Sequence, residues 1–406
     1  MLFKHFSSST TTAPSNMAEH SNPTDLFPND LITKILLLLN VKSILRFKCV
    51  SKSWNTLISD SIFVKLHLQL LPQNKHLLLI PFDPKNNQNS GIVSFPICRL
   101  LENKSVTLVN EPNMHMKDCS RVIGSCNGLV CLLGFSSTIG PQDIWIRLCN
   151  PITGFLSEKL GSFRQSRQHA FKRLRCTFCY HNSTYKVVVY CCKEVKVFSL
   201  GDNSWRNIQK FPLFIFNYMV VFNDIPVNEG VNEGVYLRGT VNWLAFRNKL
   251  ERVQCLNDVD VEELVIVSLD LGTETYRQLL PPLGFDVVGP TIAVLMECLY
   301  FSYHFERSHF VMWKMTEFGV EESWTQFVKI SYQNLQVNTF GWSVMYLRLF
   351  LFPLCFSENG DTLILASNKE KQAILYNLRD GTATRTSVTN NIKWYISKDY
   401  VESFVQ

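Results

Sequence analysis

The chain has 406 residues, 46% of them hydrophobic and 18% charged, with 40 Lys and Arg against 34 Asp and Glu. That composition supports a sizeable core and excludes a largely disordered chain, a fibre and a disulfide-stapled miniprotein. A net charge of +6 over this length is too mild to mark a dedicated nucleic-acid binder, and nine His argue against a multi-metal enzyme.

Residues 1–23 read as a disordered Ser/Thr-rich tail without the apolar centre of a secretory signal. The most apolar stretches are Ile35–Leu39, Leu213–Phe222 and Leu347–Phe356. All fall short of the roughly 18–20 residues that span a bilayer, so no membrane association is expected. Thirteen Cys, an odd number without regular spacing, read as reduced thiols, which places the protein in the cytoplasm, the nucleus or both.

Residues 24–68 read as three short helices. Pro28 suits a first helical position, and Asn29 and Asp30 set polar and acidic groups at the positive helix end. Leu31, Ile32, Ile35, Leu36 and Leu39 follow at helical spacing, and Leu37 and Leu38 make this helix apolar nearly all round. Asn40 can cap a second helix from Val41 to about Val50, with Ile44, Leu45 and Phe47 apolar. Ser51 or Ser53 can start a third, carrying Trp54, Leu57 and Ile58. So few residues bury too little surface to stand alone, and the excess apolar face needs a cover.

The runs Asp25–Leu36 and Leu39–Ile58 resemble the plant F-box motif throughout, with its spacing. Phe27 stands where that family usually has Leu, and Asn40 where it often has Pro. The resemblance implies docking on the Skp-type adaptor of a Skp–cullin–F-box ubiquitin ligase, and through it on cullin and RING subunits. Phe27 and Pro28 would insert into the adaptor. Leu31, Ile32, Ile35, Leu36 and Leu39 would supply the apolar face, with Leu45 and Val50 beside it, and Trp54 would lock the third helix.

After residue 75 the pattern changes to short strands with an internal repeat. One unit is an apolar alternation, a polar turn, Ser or Thr, then usually an aromatic: Ile146–Phe155, Val195–Trp205, Ile266–Tyr276, Val311–Thr325 and Ile374–Thr384. Thr153 to Thr384 spans 231 residues over four intervals, about 58 each, near the kelch period of roughly 50. Each unit has a preceding strand pair, as at Gly128–Leu133, Lys186–Tyr190 and Gly239–Ala245, and strand pair plus hairpin make a four-stranded propeller blade. Residues 76–110 suit an irregular first blade, and Ile392–Phe404 can help to close the ring. The expected fold is α+β and multidomain: a three-helix F-box, then over residues 75–406 an all-β propeller-like domain of about six four-stranded blades. Gly124–Leu132, Leu148–Thr153, Val235–Leu244 and Ile266–Asp270 resemble the F-box-associated domain of plant F-box proteins.

Catalytic and metal-binding patterns are weaker. Gly124-Ser-Cys126-Asn-Gly128 has the form of a nucleophile elbow, but strand follows it where an elbow needs a helix. Cys176 and Cys179, followed by Cys191 and Cys192, are spaced like zinc ligands, with His169 and His181 as substitutes. On a strand, however, positions 176 and 179 point to opposite faces. Arg164, Arg167, His169, Lys172, Arg173 and Arg175 form the densest basic stretch, best read as a solvated loop entering a blade. No catalytic residue, cofactor, metal or nucleic-acid partner is expected. The chain reads as a substrate-recognition subunit that holds a target protein for ubiquitination. The alternatives are a propeller that binds protein without an adaptor, and a Cys126 hydrolase. Segments Gly161–Arg175, Asn223–Gly234 and Asn248–Val261 break the strand pattern and are the places to expect target contacts.

Overall fold

The computed structural model describes residues 29–70, 75–83, 88–89, 91–102, 108, 114–136, 142–165, 174–191, 194–215, 233–247, 263–282, 289–306, 308–337, 349–386, 388 and 391–405. The chain divides into two compact units, Met1–Leu71 and Pro72–Gln406.

Among its described residues the first unit holds four helices: α1 (Asn29–Leu37), α2 (Val41–Phe47), α3 (Lys52–Ser59) and α4 (Ser61–Leu70). Side-chain caps separate them. Asn40 Oδ1 accepts the Ser43 N–H at 2.9 Å, and Ser51 Oγ accepts the Trp54 N–H at 3.2 Å. Each cap satisfies a donor that the first turn leaves open. The sequence pattern suggests three helices; the fourth arises because the Asp60 carboxylate accepts from Ile62 and Phe63 N–H (2.7 and 3.3 Å) and starts a new helix. Helix α4 packs against α1 and α3, and α2 against α3. Leu36, Leu37, Val41, Ile44, Ile58 and Phe63 are buried. His67 is buried as well, and its Nε2–H donates to the Leu39 carbonyl at 2.8 Å, tying α4 to the end of α1.

The second unit is a six-bladed propeller. Blade 1 combines Lys75–Leu79 and Val93–Pro96 with Lys398–Val401 from the far end of the chain. Blade 2 runs Cys119–Cys126, Leu129–Phe135 and Gln142–Asn150, with its outer strand split into Phe155–Leu156 and Leu160–Gln165. Blade 3 is Arg175–His181, Thr184–Cys191, Glu194–Ser199 and Ser204–Asn207. In blade 4 it is the first strand that is split, Phe214–Ile215 and Val235–Leu237, before Thr240–Phe246, Leu264–Asp270 and Tyr276–Leu279. Blade 5 is Thr291–Leu295, Cys298–Phe305, His309–Met315 and Trp324–Ser331, and blade 6 is Leu351–Phe356, Thr362–Ser367, Ile374–Asn377 and Ala383–Arg385. The strands Lys398–Val401, Cys119–Cys126, Arg175–His181, Val235–Leu237, Thr291–Leu295 and Leu351–Phe356 touch in that cyclic order and form the inner wall.

Six apolar clusters fill the six gaps between neighbouring blades. This explains strands without polar alternation: in Lys186-Val187-Val188-Val189, Val187 and Val189 pack toward blade 2 while Val188 packs toward blade 4. Both faces are buried, so both must be apolar. The polar turn of the repeat also has a cause. Asp270 Oδ1 accepts the Gly272 N–H at 2.7 Å, and Asn377 Oδ1 the Arg379 N–H at 2.9 Å, closing each third strand into its turn. The aromatic that follows is a tether. Trp205 Nε1–H donates to the Gly161 carbonyl (2.7 Å), Tyr276 OH to Gln209 (3.0 Å) and Trp324 Nε1–H to Leu280 (3.0 Å), each reaching the chain that leaves the preceding blade.

The ring is shut by residues 398–405. Asn150 Nδ2 donates to the carbonyls of Ser403 (2.9 Å) and Val405 (2.8 Å), and Ser403 Oγ donates to the Asn127 carbonyl at 2.8 Å. A Cβ on Gly128, whose φ is +78°, would lie 1.9 Å from Ser403 Oγ, so only glycine lets this segment cross.

Candidate functional site

In the helical unit, α1 and the turn that follows it divide their apolar side chains between two faces. Leu36 and Leu37 point inward at 1% and 6% exposure, while Leu31, Ile35 and Leu38 stand 42%, 52% and 78% exposed. Val50, in the turn after α2, adds another exposed side chain, and Ile32, Leu39 and Leu45 are half-buried. Trp54 is half-buried against Phe47, with ring centroids 5.2 Å apart, so it braces α3 on α2. Phe27 and Pro28 lie outside the described residues. Leu36 is a correction: it faces the unit's own interior, because a helix apolar all round must turn its innermost side chains to its neighbours.

Sequence reasoning did not assign Leu38 to this face, though, in the turn after α1, it is the most exposed large hydrophobic side chain of the helical unit. It also left out Ile62, Leu66 and Leu70, exposed at helical spacing on α4. The i, i+4, i+8 pattern after Asp60 was the signal for the latter. Between residues 29 and 70 there are six Lys and Arg but two Asp and no Glu, and all six basic residues except half-buried Lys48 are exposed. The unit thus presents apolar side chains among positive charges.

The propeller's inner wall encloses a cavity of about 290 Å³. Ser125, Cys126, Thr177, Glu233, Ser397, Lys398 and Asp399 contribute polar atoms to it. Most hydroxyls are committed: Ser125 Oγ donates to the Asp399 carbonyl and Thr177 Oγ1 to the Gly234 carbonyl. Cys126 ends a strand whose tight turn, Asn127-Gly128, leads into the strand Leu129–Phe135, so no helix N-terminus faces the thiol. Burial pushes that thiol up to about 11, which leaves it protonated and weakly nucleophilic at neutral pH.

Cys176 and Cys179 pack into the clusters on opposite faces of blade 3, and burial pushes each thiol up to about 12. Cys192 and His169 lie outside the described residues. The basic stretch also reads differently in three dimensions. Arg164 sits on an outer strand, whereas Arg175 is buried at the start of blade 3's inner strand rather than solvated, its guanidinium balanced by Glu233. Arg167, Lys172 and Arg173 lie outside the described residues, as do 166–173, 223–232 and 248–261 of the segments named as target-contact candidates. No helix among the described residues is long and apolar enough to cross a membrane.

An F-box domain matches residues 25–66, and an F-box associated beta propeller domain matches residues 89–406. Among curated proteins, the chain is 27% identical to the F-box/kelch-repeat protein At3g23880 of Arabidopsis thaliana, over 75% of this chain and 79% of that one. It is 25% identical to F-box protein CPR1 of the same plant, over 85% and 80%. Over 47 residues, 12% of each chain, identity to Putative F-box protein At1g47790 of Arabidopsis thaliana reaches 53%. The chain therefore belongs to the F-box-associated β-propeller family, plant F-box proteins whose general role is substrate recognition in Skp–cullin–F-box ubiquitin ligases.

Proposed function

We propose that this chain is the substrate-recognition subunit of a ubiquitin ligase, docked on a Skp-type adaptor through Leu31, Ile35, Leu38 and Val50 and holding a target protein on its propeller. The observation that carries the reading is the exposed apolar face of α1, in a segment that matches an F-box. Large apolar side chains left open on one face mark an interaction surface. The exposed cations around them favour a partner whose groove is apolar with an acidic rim. The subunit's contribution to ubiquitin transfer is proximity: target lysines held beside a charged enzyme react at a raised effective concentration. The thiol of Cys126, held protonated in its cavity, fits a non-catalytic role.

The test is co-precipitation of a plant Skp-type adaptor with the wild-type chain and with Ile35→Asp. A carboxylate driven into an apolar interface removes several kcal/mol of binding, enough to abolish capture. Capture by wild type and loss in the variant supports the reading. Equal capture by both moves the docking face elsewhere, and no capture by either leaves a propeller that binds its partner without the ligase.

A further inference from the structure

The axial cavity holds polar groups that nothing in the propeller uses. Lys398 lines it from the closing strand, and among the described residues its ammonium makes no hydrogen bond and no ion pair. Beside it, Ser397 is 5% exposed, and its Oγ has no hydrogen-bond partner. A buried hydroxyl without a partner costs free energy, an ammonium without a hydrogen bond leaves its donors open, and both are donors. Opposite chemistry is already spoken for: Glu233 accepts the Cys176 N–H and faces Arg121 Nη2 at 3.8 Å.

The charge balance points the same way. Lys398, Arg121, Arg175 and Lys75 act on Glu233 and Asp399, so the basic groups around these carboxylates outnumber them. Lys398 is half-buried, and the loss of water around its ammonium lowers that group's pKa. The other walls are apolar, formed by Ile292, Val294, Phe352, Leu354 and Tyr395. Ligand cavities run from about 300 to 1,000 Å³, so this one admits a group no larger than a single amino acid.

We propose that the axial cavity binds a carboxylate attached to a small apolar group, with Lys398 and Ser397 as its donors. The carboxylate belongs either to a free acid or to the C-terminus of a protein chain. The inference rests on the propeller alone and does not require the adaptor-docking reading.

Isothermal titration calorimetry on the purified full-length chain tests it, with no adaptor present. The probes are N-acetyl-leucine, N-acetyl-leucinamide, and a decapeptide ending in Leu with a carboxylate or an amide terminus. Acids are expected to bind at least tenfold more tightly than amides. Lys398→Met is expected to lose that tenfold, Ser397→Ala a smaller factor, and Lys398→Arg, which keeps the charge, to retain binding. Binding by the peptide acid but not by N-acetyl-leucine assigns the site to chain termini, while binding by both assigns it to any small acid. Equal binding of acids and amides, undiminished binding by a folded Lys398→Met, or no heat with either acid overturns the proposal. If Lys398→Met fails to fold, the acid-to-amide ratio on the wild-type chain still decides.

Discussion

The two units handle their hydrophobic surface in opposite ways. Of eleven large hydrophobic side chains exposed among the described residues, seven sit in the helical unit, on its helices or the turns that follow them, and four on the far larger propeller. A ring of blades gives every apolar face a neighbour, and its last gap is closed by the chain's own residues 398–405. Four short helices cannot surround themselves, so α1 and α4 keep apolar side chains outside. The propeller's blades cover one another's apolar faces, whereas the helical unit leaves several of its own side chains exposed.

The sharpest way to break the comparison is to reopen the ring. Ending the chain at Ser397 removes the inner strand of blade 1 together with Tyr400 and Phe404, which are 2% and 3% exposed. Each buried aromatic contributes roughly 3–5 kcal/mol, so losing both rivals the 5–15 kcal/mol total of a typical domain. The expected outcome is loss of the propeller's cooperative thermal transition, followed by near-UV circular dichroism. A transition that persists would show that blade 1 is dispensable.

Next in size is acid sensitivity inside the ring. His304 accepts the Leu351 N–H through Nε2 (3.3 Å), which puts its proton on Nδ1, directed at Tyr332 OH (2.7 Å). Burial lowers its pKa from 6.5 to about 3. The folded value lies below the unfolded one, so its contribution is complete above pH 6.5 and falls away as pH drops toward 3. Across that window the loss approaches about 1.4 kcal/mol per pH unit. Urea midpoints measured from pH 7 to 4 are expected to fall more steeply for the wild type than for His304→Gln, and parallel slopes would contradict this. Gly128→Ala follows, at roughly 2–4 kcal/mol, because a methyl at positive φ collides with Ser403. Thermal melting reads it directly.

These sites show what the amino-acid order makes legible. The blade repeat is local: an Asn or Asp at the end of a third strand and an aromatic a few residues later are close in sequence because the turn and its tether are close in space. The F-box is legible for the same reason, being one contiguous run. The face of α1 is not, since a nine-residue helix that is apolar almost all round does not say whether Leu36 or Leu38 points outward. Nor is the lining of the axial cavity, which brings Ser125, Glu233 and Lys398 together from three distant strands or turns. Arg175 looked like part of a solvated basic loop, but the fold buries it at the start of an inner strand, within the field of Glu233.

The smallest expected effects test the comparison where it matters for function. Leu36→Ser removes a side chain that is 1% exposed and should cost about 2–4 kcal/mol of the helical unit's stability. Leu38→Ser, two residues on and 78% exposed, should change stability by less than about 0.5 kcal/mol, because in the free chain that side chain is already in water. If the exposed face docks an adaptor, Leu38→Ser nevertheless weakens capture, so stability and binding separate at positions two residues apart. Denaturant melts of the two variants beside adaptor titrations read both quantities. Should Leu38→Ser prove as destabilising as Leu36→Ser, the face is covered within the chain itself, and the helical unit would be as self-sufficient as the ring.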